Sequence, residues 1–127
     1  NGKLPSGETI SEVVEKCKDE NWLGLIAACV SPEIIENTID EIKQLKIPFG
    51  FKANLWKTEE PVPVHKFASP ADEIGANPSE AMGTRNDYTD IKFLEFSKKM
   101  KDKGATILGG CCETKPSHIN KISVLKN

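Results

Sequence analysis

The sequence predicts an α/β fold in which three parallel strands alternate with helices. Two observations predict it. Short apolar runs at 22–30, 49–53 and 105–108 alternate with stretches of helical periodicity. Each also carries a polar or thiol residue at its carboxyl end: Cys29, then Asn54, then Cys111 and Cys112. Alternation of this kind builds right-handed βαβ units. Such folds keep their chemistry at the carboxyl ends of the strands.

Composition fits one globular unit spanning 1–127, with 38% hydrophobic and 28% charged residues. The formal net charge is −2 and the cations are scattered, without a basic stripe or interleaved aromatics. Nucleic acid is therefore not an expected partner. No apolar run approaches the ~20 residues of a membrane-spanning helix, and no amino-terminal signal pattern is visible. Four cysteines are too few for a secreted disulfide scaffold, and a bridge between the neighbours Cys111 and Cys112 would be strained. Reduced thiols in a cytoplasmic setting are expected, with metal binding as the reason to cluster them.

Taken in order, 1–7 is polar and rich in turn residues, as if cut from a longer chain. Thr9 and Glu12 form a capping-box pattern ahead of a stripe of Ile10, Val13, Val14 and Cys17. On that stripe Cys17 reads as a small buried hydrophobe. After the first strand, Ser31-Pro32-Glu33 supplies a cap, a first-turn proline and a first-turn acid. Ile34, Ile35, Thr38, Ile39, Ile42 and Leu45 form the apolar stripe of that helix, and Lys46-Ile47-Pro48 ends it.

The second strand, Phe49 to Ala53, is followed at 55–86 by a long loop holding four of the prolines, and connections of that length are usually functional. Asp87 or Thr89 caps the next helix, whose expected core face is Ile91, Phe93, Leu94 and Met100. The third strand runs into Gly109-Gly110-Cys111-Cys112. Pro116 then suits the first turn of a helix carrying Ile119, Ile122 and Leu125. Glycines there permit close approach of a metal or ligand. Adjacent cysteines alone give metal ligation even odds against a buried pair.

The series Cys29-Val30-Ser31-Pro32-Glu33, Ala53-Asn54, and Gly109-Gly110-Cys111-Cys112 with Thr114, Pro116, His118 and Ile119 resembles the carboxyl-terminal part of the homocysteine S-methyltransferase family. That family includes betaine- and S-methylmethionine-dependent enzymes. The resemblance implies part of a (β/α)₈ barrel, its last three strands and their helices. It also implies one Zn²⁺ held by Cys29, Cys111 and Cys112, with Asn54 beside the substrate. The partners implied are homocysteine and a small cationic methyl donor. The chain departs from the family where Ile26-Ala27-Ala28 replaces a Gly-x-Asn sequence, and at Glu113 and Lys115 after the thiols. These changes bear on substrate handling more than on zinc.

Three thiolates leave one open tetrahedral position, which a substrate thiol can fill. Two rival readings come from other classes. One is a structural zinc module closed by His118, although capping or packing suits that residue better. The other is a metal-free, redox-active thiol module. Among the remaining residues, Glu113 reads as an exposed acid, with action on a substrate amine as its alternative. Trp56 reads as packing under the loop, with a cation–π contact to the donor as its alternative. His65, Glu59-Glu60 and Asp72-Glu73 read as solvated surface. Open sheet edges leave room for a homo-oligomer or the missing amino-terminal half of a barrel.

Overall fold

The computed structural model describes residues 3–57 and 82–126. The elements are α1 (Ile10–Lys16), β1 (Leu25–Ala28), α2 (Pro32–Ile42), β2 (Phe49–Ala53), α3 (Asp90–Asp102), β3 (Ile107–Gly110) and α4 (Pro116–Ile122). The strands form one parallel sheet in the order β1-β2-β3. The expected α/β alternation is what the chain adopts, and it is consistent with part of a barrel. His65, Glu59-Glu60 and Asp72-Glu73 lie outside the described residues. No helix among those described is long and apolar enough to cross a membrane.

Local signals account for most helix starts. Thr9 and Glu12 satisfy each other's backbone N–H groups, so the capping box closes. The Ser31 hydroxyl accepts from the Ile34 N–H at 3.3 Å, with Pro32 in the first turn. Thr89, rather than Asp87, caps α3 by accepting from the Lys92 N–H at 3.3 Å. The first strand is shorter than its apolar run, because Leu23 is 93% exposed and ladder pairing begins only at Leu25. Cys17 is only half-buried, and α1 buries no residue fully.

The core lies between the sheet and the helices on one face. Ile35, Ile39 and Ile42 of α2 meet Phe49, Phe51 and Ala53 of β2, and Phe93, Phe96 and Met100 of α3 complete it. Phe51 is 1% exposed and packs edge-on against Phe96, with ring centroids 4.8 Å apart. Ile91 does not join this core: it is 60% exposed. It precedes Phe93 by two residues, which at ~100° per residue carries it around to the far side of α3.

Among the described residues, no helix covers the other face of the sheet. Its register sets Ile26, Gly50 and Ile107 in one row and Ala28, Lys52 and Gly109 in the next. Ile26 and Ile107 are consequently exposed.

The stems of the long connection are zipped together. Trp56 bridges Thr84, the Lys57 N–H donates to the Gly83 carbonyl, and the Arg85 N–H donates to the Leu55 carbonyl. Arg85, the chain's only arginine, then locks this base to α2. Its guanidinium grips both oxygens of Glu33 at 2.7–2.8 Å and also reaches Asp87 at 2.9 Å. Arg85, and after it Lys92, holds the Asp87 carboxyl well below the usual carboxylate range.

Arg85→Met should cost about 1–2 kcal/mol, a value reduced by the solvent exposure of both acids. The stability from Asp87 is present above the ordinary carboxylate pKa and is lost as pH falls through the lowered folded value. Urea titrations of wild type and variant should therefore differ at neutral pH and converge in strong acid.

Candidate metal centre

The ends of β1 and β3 bring Cys29, Cys111 and Cys112 into one cluster, with all Sγ atoms within 4.8 Å of one another. Backbone hydrogen bonds to β2 place them. The Cys29 N–H donates to the Lys52 carbonyl at 2.8 Å, and the Cys111 N–H donates to the Ala53 carbonyl at 2.7 Å. The Cys112 carbonyl in turn accepts from the Leu55 N–H at 3.0 Å.

Cys29 adopts a left-handed backbone, φ 57°, which is unfavourable for a residue with a Cβ and is commonest where structure serves a site. Asn54 holds it there. The Asn54 side chain is buried, its amide donates to the Cys29 carbonyl at 2.8 Å, and its oxygen accepts from the Trp56 N–H at 3.4 Å.

On the other side, Gly110 makes the turn feasible. A Cβ there would lie 2.2 Å from Thr114 Cγ2, so only glycine lets the chain fold back over itself. The Thr114 hydroxyl donates to the Ala53 carbonyl at 3.1 Å and so does not cap α4.

The cap comes from His118. Its Nδ1 accepts from the Lys115 N–H at 2.9 Å, and its Nε2 lies 3.1 Å from the Tyr88 carbonyl oxygen, which it reaches as a donor. Both ring nitrogens are thus engaged, and His118 packs beneath the turn rather than joining the thiols. Glu113 is half-buried, not exposed as its sequence position suggested, and accepts a hydrogen bond from the Thr84 hydroxyl. Trp56 is buried.

The spacing suits a tetrahedral cation. Cys29 and Cys112 sulfurs are 3.7 Å apart, and Cys111 and Cys112 sulfurs 3.9 Å. Four ligands at the usual Zn–S length of ~2.3 Å would stand ~3.8 Å from one another. The donor set is soft and charged on ionisation, which favours zinc over a hard cation.

The clustered thiols shift one another's ionisation in opposite directions. Burial, then hydrogen bonding to Cys111 and Cys112, pushes the Cys29 thiol up to about 12. Burial, then the charge of Cys111, raises Cys112. Burial also opposes ionisation of Cys111, but hydrogen bonds from Cys29 and Cys112 and the charge of Lys52 outweigh it, so its pKa is lowered. Cys111 is thus the member of the cluster whose ionisation its neighbours favour. A dication would permit all three to ionise.

Lys52 and Arg85 sit in no motif: the sequence marks the first only as a charge inside an apolar strand and the second only as the sole arginine.

Three thiols gathered at the strand ends of a parallel α/β sheet form a group that could hold a metal ion. The profile of the homocysteine S-methyltransferase family matches residues 1–125, and the chain belongs to that family. Similar proteins include homocysteine S-methyltransferase 1 of Arabidopsis thaliana, 31% identical over 125 residues, which are 95% of this chain and 33% of that protein. Homocysteine S-methyltransferase 1 of Brassica oleracea var. italica is 28% identical, over 94% of this chain and 32% of that protein. Homocysteine S-methyltransferase 3 of Arabidopsis thaliana is 25% identical over 123 residues. The chain spans about a third of the length of these curated relatives.

Proposed function

We propose that the chain is the zinc-bearing, carboxyl-terminal part of a (β/α)₈ methyltransferase that moves a methyl group from a cationic donor to the thiol of homocysteine, giving methionine. We assign Cys29, Cys111 and Cys112 as ligands, residues 1–127 as one unit of that barrel, and the cytoplasm as its compartment. The observation that carries the reading is the near-tetrahedral spacing of three sulfurs contributed by two separate strand ends.

When bound, Zn²⁺ would lower the pKa of a fourth, substrate thiol and so supply a thiolate nucleophile near neutral pH. The chain's own residues do the positioning. Lys52 and Ala53 fix the height of Cys29 and Cys111 through their carbonyls. Asn54 holds the Cys29 turn, and we assign it to the substrate-facing edge of the site. His118 already has partners on both nitrogens, which leaves the fourth position open to substrate.

In the transfer a new S–C bond forms on the homocysteine sulfur as the methyl's bond to the donor breaks. The donor keeps that electron pair and loses its positive charge. A short segment with ligands but few substrate contacts forfeits the positioning on which rate depends, so slow turnover is expected of the chain on its own.

Zinc content tests the reading. Purified chain should carry close to one zinc, and both Cys29→Ser and Cys111→Ser should lose it, as measured by metal analysis after gel filtration. Zinc that survives loss of Cys29 would break the three-thiolate site. Zinc-free chain that forms a reversible bond between its thiols would point instead to redox chemistry.

A further inference from the structure

We infer that Lys52 is the electrostatic partner of the thiolate centre, a positioning residue that offsets the negative charge the ligands bring. This rests on the zinc reading above. Three thiolates on a dication leave net negative charge, and a substrate thiolate as fourth ligand deepens it. A cation built into the fold beside them lowers that cost.

The sheet register puts Lys52 where it can serve. It sits in the central strand on the helix-free face, between Ala28 and Gly109. Ala28 directly precedes Cys29, and Gly109 lies two residues before Cys111. The Lys52 row is therefore the one immediately beneath the sulfurs, and Lys52 is its only large side chain. A Cβ added at Gly109 would meet nothing nearer than the Phe51 carbonyl oxygen at 3.7 Å, so space over that side of the row is open.

The row below is Ile26, Gly50 and Ile107, which offers an ammonium nothing polar. Among the described residues the Lys52 ammonium has no carboxylate partner. The Lys52 carbonyl is also the acceptor of the Cys29 N–H at 2.8 Å, so the side chain springs from the residue that anchors one of the thiols. A lysine bordered by apolar side chains needs a counter-charge wherever that face is covered. The thiolates provide it.

The test is zinc affinity measured by competition with a chromophoric chelator, using wild type, Lys52→Met and Lys52→Arg. Lys52→Met should bind Zn²⁺ about tenfold more weakly, and Lys52→Arg should stay within about twofold of wild type. The gap should narrow at high salt as exposed charges are screened. Thermal unfolding of the metal-free proteins should be alike, since Lys52 is exposed. If metal-free Lys52→Met proves unstable, Lys52→Gln replaces it.

Wild-type affinity in Lys52→Met, or a loss that arginine does not restore, would overturn the assignment and leave the three-cysteine site intact. A wild-type chain that binds no zinc would overturn the metal reading itself.

Discussion

Gly50→Val should be the most damaging single substitution in the sheet, costing upwards of about 3 kcal/mol. An ideal Cβ at Gly50 would stand 1.9 Å from the Ile107 carbonyl oxygen and 2.5 Å from its Cβ. Backbone cannot retreat as a flexible side chain can. β2 and β3 would have to part or slide, and the Ala53 carbonyl that holds Cys111 would go with them. Gly109→Ala is the matched control. It lies on the same bare face, but its added methyl would have ordinary contact distances, so its cost should stay under about 1 kcal/mol. Circular dichroism melts of both variants check the contrast, and equal losses would show that the Gly50 clash relaxes.

Phe51→Ala comes second, at about 3–5 kcal/mol from lost burial and an unfilled cavity. Phe51 lies at the centre of the core, with Phe96 at 4.8 Å and Phe93 at 6.5 Å between ring centroids. Phe51→Leu keeps most of the volume and should cost about 1.5 kcal/mol or less. The adjacent carbonyls of Lys52 and Ala53 position Cys29 and Cys111, the two thiols proposed as ligands, so the alanine variant should also bind zinc poorly. By mass action, added zinc should raise its melting temperature, because metal binds only the folded site. No rise in melting temperature would mean that the core and the thiol centre fold independently.

Much of the fold could be read from the chain, because local rules govern it. Ser31-Pro32-Glu33 starts α2, Thr9 and Glu12 close their box, and apolar runs mark the strands. The outcome differed where a distant neighbour decides. Ile91 follows helical spacing of its own but faces away, since the position of Phe93 and Phe96 against β2 fixes the rotation of α3. Glu113 looks solvated until Thr84, 29 residues upstream, is brought against it. The left-handed backbone of Cys29 depends on Lys52 and Asn54. No pattern around residue 29 encodes it.

The candidate site divides in the same way. Which thiols to suspect came from motif and resemblance, but how they meet is set by parallel register. His118 shows the limit of composition as a guide, since a histidine near two cysteines is a natural ligand by type. Here the histidine serves the start of α4. Arg85 shows the opposite, an unremarked residue whose fork ties the base of the long connection to α2.

The two peptide carbonyls at Lys52 and Ala53 have a consequence for how this centre can vary. They are successive units of one strand, and each receives the N–H of a different cysteine. The distance between ligands far apart in sequence is therefore gauged by one peptide repeat of a third segment. A main-chain gauge is indifferent to side chains. Charge and polarity at the exposed position 52 can change without recalibrating the separation of the sulfurs, whereas an inserted or deleted residue in that strand would miscalibrate it at once.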